Sequence, residues 1–276
     1  MSSRAPAITL IVLAGAVRVA AADQTQQAIA PASPAGDRLI FSGDGAWLTG
    51  GSGGGGASAL WSHTIAPRDV FSAGAEYQQI SNAHWTNGVL SGSLGLGSGT
   101  PAATLYADVH EGAGNDGVRN FDYSVISVGL FYAPAEWLTA QLEERRIDVD
   151  TSHGNLPKLG LAFRLAQPLL LSVSYADTAG GNLGTRLASL RIDYSGRTVS
   201  ALAGAASGRA APAVLNLLGQ IVQPSPKLTE LFAGVGRSFG RANWQLLADY
   251  EDIEGLKRTT VTLLCTLDLD GQPGAP

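Results

Sequence analysis

The sequence predicts an all-β protein: an antiparallel up-and-down transmembrane β-barrel of about 12–14 strands, following an N-terminal signal peptide. Three observations predict it. Segments of about ten residues alternate apolar and polar side chains with a period of two, the pattern of strands whose faces meet different surroundings. Apolar residues make up 45% of the 276 residues and charged ones only 15%, below the roughly 25% typical of soluble domains. Short turns alternate with longer polar connections, as in transmembrane barrels. A soluble β-sandwich also alternates, but needs neither that beat nor aromatic rings at its strand ends.

The N-terminus explains its own apolar stretch. Met1-Ser2-Ser3-Arg4 is a basic lead, Ala5–Val17 an apolar core too short for a helical span, and Ala20-Ala21-Ala22 a small-residue cleavage site. Residues 1–22 are therefore read as a signal peptide, and 23–36, rich in Gln, Ala and Pro, as a disordered periplasmic lead-in. Removal of Arg4 and Arg18 leaves 16 basic against 23 acidic residues, a net charge of −7. That balance disfavours nucleic acid as a partner. The single cysteine, Cys265, sits on the apolar face of a strand and allows no intramolecular disulfide or CxxC motif.

The barrel is expected over residues 37–270, with 271–276 as a tail. Asp37–Leu48 is a first strand and Gly50–Gly56 a Gly/Ser loop. Ser58–Ile65, Val70–Ile80, Trp85–Leu96 and Ala103–His110 follow, the second of them setting Phe71, Ala73, Ala75 and Tyr77 against Ser72, Gly74, Glu76 and Gln78. Gly112–Asn120 reads as a long polar loop. Asp122–Tyr132, Trp137–Val149, Leu156–Leu165 and Leu169–Asp177 continue the pattern, with Asp150–Asn155 and Thr178–Leu183 as loops. Thr185–Tyr194 and Thr198–Ala206 lead to the longest connection, Ser207–Pro226. Its centre, Val214–Val222, is assigned to loop, because a further strand would make the count odd and turn the last strand the wrong way. Three strands close the chain. Leu231, Ala233 and Val235 alternate with Glu230, Gly234 and Gly236; Trp244, Leu246 and Tyr250 with Gln245, Asp249 and Glu251; Val261, Leu263 and Cys265 with Thr260, Thr262 and Thr266.

Two residue sets follow from this alternation. Glu76, Asp108, Lys158, Arg164, Arg191, Asp193, Glu230, Asp249 and Glu251 face the lumen and mix both charge signs. They either pair with one another or line a passage, and about fourteen strands favours a narrow or plugged lumen, since open channels come with sixteen or more. Tyr132, Trp137, Tyr194 and Trp244 lie beside short turns, where one membrane-interface girdle belongs; Tyr77, Tyr175 and Tyr250 lie near the opposite ends, where the other belongs.

No catalytic, cofactor or metal motif is read. His63, His84, His110 and His153 lack metal-site spacing. Asp108 and His110 share a face. Glu143–Arg146 reads as a solvated strand end, and Gly51–Gly56 lacks the setting of a phosphate loop. Gln79-Ile80-Ser81-Asn82-Ala83 resembles the active-site segment of outer-membrane lipid A deacylases, in which a histidine two residues before the serine is its base. Here Gln79 holds that place, and an amide cannot take the proton; His84 is the nearest histidine.

Over Leu187–Leu269 the layout resembles the YaiO-type family of bacterial outer-membrane barrels. The residues that carry this are Ser189-Leu190-Arg191-Ile192 running into a short turn, a strand ending in Ser207-Gly208-Arg209, a long loop, and the hairpin around Phe239–Trp244. The resemblance implies a bacterial outer-membrane location, contact with outer-membrane lipid, assembly by the barrel-assembly machinery and no assigned reaction. It departs at the end, where such barrels close on an aromatic residue and this strand closes on Leu269. The expectation is a non-enzymatic structural barrel or narrow solute pore with a polar, charged lumen. Two alternatives are a lipid-modifying hydrolase using Ser81, and a surface interaction protein working through Gly112–Asn120 and Ser207–Pro226.

Overall fold

The computed structural model describes residues 36–49, 53–97, 100–149, 152–209, 226–254 and 256–269. The signal peptide, the lead-in over 23–35, the Val214–Val222 loop and the tail lie outside the described residues. Fourteen long strands and one short one follow in order: β1 (Gly36–Leu48), β2 (Gly53–Ala66), β3 (Asp69–Ile80), β4 (Ala83–Leu96), β5 (Ala102–Asn115), β6 (Asn120–Ala135), β7 (Leu138–Val149), β8 (Ser152–Ala166), β9 (Leu169–Asp177), β10 (Ala179–Gly181), β11 (Arg186–Ser195), β12 (Val199–Arg209), β13 (Lys227–Phe239), β14 (Ala242–Ile253) and β15 (Leu256–Asp268).

Each long strand pairs antiparallel with its neighbours in sequence order, β9 pairing directly with β11. The ring closes where β1 meets β15, from Arg38↔Asp268 to Leu48↔Arg258. The three-residue β10 is a side branch of the β9–β11 connection that pairs with the start of β8. Closure removes the free edges that an open sheet would leave unpaired in a bilayer. Both described ends, Gly36 and Leu269, lie at one end of the barrel (the terminal end) and are joined by the bond from Leu269 N–H to the Asp37 carbonyl at 2.8 Å. The two-residue turns Pro67-Arg68, Glu136-Trp137, Gln167-Pro168 and Gly240-Arg241 lie at the same end.

The wall is inverted relative to a soluble protein. Leu90, Leu105, Val128, Leu142, Leu159, Leu190, Leu231, Val235, Leu246 and Leu263 are all exposed on the outer face, while Ser62, Asn87, Asp108, Ser127, Glu143 and Arg145 are buried inside. Such a surface is stable only against hydrocarbon. Tyr132, Trp137, Tyr194 and Trp244 are exposed towards the terminal end, and Tyr77 and Tyr175 towards the other. Tyr250 is half-buried, opposite the exposed Leu231 on β13.

The strands run further than the side-chain pattern suggests. Gly53–Gly56 belongs to β2, not to a loop, and Gly112–Asn115 and Asn120 belong to β5 and β6, leaving Asp116–Arg119 as the connection. Ser152–Asn155 likewise belongs to β8. Backbone pairing does not require apolar side chains, and Gly112↔Tyr123, Gly114↔Phe121 and Asn115↔Asn120 continue the ladder. The Asp116 carboxylate then turns the chain, its Oδ1 accepting the N–H groups of Val118 and Arg119 at 2.8 Å each.

Candidate functional site: the barrel interior

The inward residues form three zones. At the end away from the termini, Leu48, Ile80, Trp85, Phe121, Tyr123, Val125, Ile147, Val149 and Leu156 pack into an apolar cap, each under a tenth exposed. Eleven of the twelve cap residues stand on barrel strands, and the twelfth, Leu183, comes from the β9–β11 connection. Glycine makes this cap possible. A Cβ at Gly114 would lie 2.4 Å from the Phe121 ring, so the absent side chain is the space the ring occupies.

Below the cap on the β3–β8 side lies a buried polar network. Tyr106 crosses over Gly129, whose Cβ would sit 2.3 Å from the phenol ring, and donates its hydroxyl proton to Glu143 Oε2 at 2.8 Å. Gln141 donates to the Tyr106 hydroxyl at 2.9 Å and to Glu143 Oε2 at 3.1 Å. Arg145 Nη2 donates to Glu143 Oε1 at 2.7 Å, and its Nε to Ser127 Oγ at 3.2 Å. Lys158 Nζ stands 3.8 Å from Glu143. Beside this network His110 lies between two carboxylates, 3.5 Å from Glu76 and 3.6 Å from Asp108. Glu143–Arg146 is therefore not a solvated strand end. Period-two alternation turns Glu143 and Arg145 inward, while Arg146 faces out and pairs with Asp148 at 2.7 Å.

The third zone is a cavity of about 340 Å³ roofed by Ile80, Leu156 and Ala176 of the cap. Much of its wall is apolar, with Leu202, Phe232, Leu247 and Leu264 among the lining residues. Its charges divide by wall. Asp44, Glu230, Asp249 and Arg258 lie on β1 and β13–β15, where Glu230, Asp249 and Glu251 bring carboxylate oxygens within 4.8 Å of one another and Arg258 Nη2 stands 2.5 Å from Glu251. Glu143, Arg145, Lys158 and Arg191 lie on β7, β8 and β11. Arg191 pairs with Asp193, its Nε 2.8 Å from Oδ1.

The nine charged residues expected to face inward thus fall into separate groups. Lys158, Arg191, Glu230 and Asp249 line the cavity, with Asp193 and Glu251 bonded or adjacent to lining residues. Glu76 and Asp108 are buried beside His110. Arg164 is exposed near the Gln167-Pro168 turn, level with Asp193 across Leu170 of β9 and outside the cavity lining. Sequence reading passed over Tyr106, Gln141, Glu143, Arg145, Arg258 and Leu183. For Tyr106, Gln141 and Glu143, a long side chain facing a glycine or an opposite charge on the next strand was the available signal, as in Tyr106↔Gly129↔Glu143; Arg145 faces Ser127 and Leu156 and carries no such mark.

Ser81 occupies the two-residue β3–β4 turn at φ 54°, its N–H bonded to the Gly53 carbonyl at 2.9 Å. His84 is exposed, and among the described residues no histidine is hydrogen-bonded to the Ser81 side chain.

No protein-family model matches the chain, and no curated protein matches it in sequence. Solved structures match it in fold. A deletion mutant of the TodX monoaromatic hydrocarbon channel is similar over 89% of this chain and 94% of its own, with a TM-score of 0.59 and 10% identity. The CymD monoaromatic hydrocarbon channel matches over 90% and 93%, at 0.55 and 12% identity. The Acinetobacter baumannii outer membrane protein Omp33 matches over 84% and 98%, at 0.53 and 8% identity. At such identities the likeness is one of fold. The chain has the fold of the outer-membrane β-barrels: closed, antiparallel, and apolar on its outer wall.

Proposed function

We propose that the protein is a non-enzymatic barrel of the bacterial outer membrane, YaiO-like in its closing strands, that admits small polar solutes through a narrow, capped lumen. The cap then faces outside the cell and the terminal end faces the periplasm. The cavity carries the reading: it lies within the barrel and has charges on both of its walls, with Asp44, Glu143, Glu230 and Asp249 balancing Arg145, Lys158, Arg191 and Arg258. A chamber of this size with separated charges holds a small solute and orients its dipole. That TodX and CymD are both monoaromatic hydrocarbon channels supports transport as the class of activity. Outer-membrane lipid surrounds the wall, and the barrel-assembly machinery inserts it.

Charge selectivity tests the reading. Replacing Lys158 and Arg191 with glutamine removes two of the four lining cations and leaves the four lining carboxylates. The ratio of potassium to chloride permeability, read from reversal potentials in a salt gradient, is expected to rise by roughly tenfold. A reversal potential unmoved by both replacements would take the cavity out of the ion path.

A further inference from the structure

We propose that the outer wall carries a lipid-phosphate site at its cap-end rim, where Arg186, Arg209 and Lys227 hold the phosphate groups of an outer-leaflet lipid. This site rests on the orientation proposed above, with the cap outside the cell, and names a lipid partner for the wall. Arg186 opens β11, Arg209 ends β12 and Lys227 opens β13, all at the end away from the termini. Arg186 is the register partner of Arg209, which is in turn the register partner of Lys227. All three are exposed, and they share the outward face with Leu190 and Leu231. With strands about 4.8 Å apart, the row spans roughly 10 Å.

Depth sets what the row meets. On β13 the outward residues run Arg237, Val235, Ala233, Leu231, Thr229 and Lys227. At about 3.3 Å per residue and a tilt of about 40°, Arg237 and Lys227 stand roughly 25 Å apart across the membrane. That is the height of the apolar band, so Lys227 lies at its edge, among headgroups. Tyr175 marks the same edge on β9, its hydroxyl donating at 3.0 Å to Asp177, the register partner of Arg186.

Charge makes the row specific. Like charges directly opposite one another on neighbouring strands repel, and Arg209 has a cation as register partner on both sides. Two carboxylates flank the row at its ends. Asp177 accepts from Arg186 Nε at 3.0 Å, and Glu254 Oε1 accepts the Lys227 backbone N–H at 3.1 Å. On β5–β7 the same rim reverses sign: Glu111, Asp122 and Asp148 face out, and Arg146 is bonded to Asp148 at 2.7 Å. A multiply charged phosphate bridging neighbouring cations relieves their repulsion, and guanidinium groups bind it through paired N–H donors. A zwitterionic headgroup offers one phosphate already offset by its own ammonium. The chemistry therefore selects a lipid bearing phosphate monoesters, as does lipid A, the phosphorylated glycolipid of the outer leaflet.

The test uses the refolded mature barrel in detergent micelles, with heat-modifiable migration confirming the fold of each variant. Native mass spectrometry compares binding of bisphosphorylated lipid A with that of its dephosphorylated form and of phosphatidylethanolamine. The native barrel should prefer the bisphosphorylated form over both others by roughly tenfold or more. Arg186→Gln with Arg209→Gln and Lys227→Gln should remove that preference, while Arg237→Gln, at the other edge of the band, should leave it unchanged. Equal binding of all three lipids by the native barrel would overturn the site, as would undiminished preference in the triple variant or an equal loss in Arg237→Gln. Displacement of lipid A by millimolar inorganic phosphate would also overturn it, making free phosphate the occupant. Val118→Cys with Cys265→Ser, on the exposed β5–β6 turn of the same rim, reports orientation. It should react on intact cells with a membrane-impermeant thiol reagent, and reaction only from the periplasmic side would put the row in the wrong leaflet. Current is read separately: a silent barrel that still discriminates these lipids keeps the site and loses the passage, whereas a conducting barrel blind to phosphate keeps the passage and loses the site.

Discussion

Arg145→Ala is expected to destabilise the folded barrel by about 3–5 kcal/mol, the cost of leaving one member of a buried ion pair alone. The Arg145 and Glu143 side chains are 4% and 2% exposed, and their contact is 2.7 Å. Without Arg145, Glu143 keeps Tyr106 and Gln141 as hydrogen-bond donors, but its remaining cation is Lys158 at 3.8 Å. Ser127 Oγ also loses its donor. The measurement is reversible urea unfolding in lipid vesicles, followed by tryptophan fluorescence. Converting both partners, Glu143→Gln with Arg145→Met, should recover most of the loss, because the penalty belongs to the isolated charge. A single variant as stable as the parent would show that the interior around Glu143 is wet.

Leu190→Arg should cost about 2–4 kcal/mol in the same assay, whereas Ser189→Arg one residue away should cost little. Leu190 is 50% exposed on the outer face of β11, where the bilayer would meet it. Ser189 lines the cavity and shares a 2.7 Å hydroxyl contact with Ser174. An arginine on the outer face must leave hydrocarbon or thin the bilayer, while one in the cavity meets polar groups and space. Equal penalties at the two positions would reverse the assignment of faces, and a cheap Leu190→Arg would place that face in water.

The wall was legible in the sequence because each strand meets two environments, and a period of two records both. Leu231, Val235, Leu246 and Leu263 could be assigned outward from alternation alone, as could the strand count and the closing order. The strand ends were not legible in the same way. Gly112 and Gly114 look like loop residues, yet they are inward positions emptied for Asn87 and Phe121. Four charges in a row at Glu143–Arg146 looked solvated, because charge density hid the alternation that buries two of them. The interior depends on which side chains meet across the lumen, and strand periodicity says nothing about that. Lys158 meets Glu143 through a neighbouring register, but the separation of charge across the cavity needs the closed ring. Leu183 is the extreme case. It lies between Asn182 and Gly184 in a segment with no periodicity, and only the folded loop shows where it is buried.

Single-channel recording of the refolded mature barrel in a planar bilayer tests the central claim, a capped interior that forms a narrow passage, most directly. With the apolar cap over a cavity of about 340 Å³, the native chain should give long closed periods broken by brief openings of small unit conductance. A large, steadily open conductance would contradict the cap, and permanent silence from correctly inserted barrels would contradict the passage.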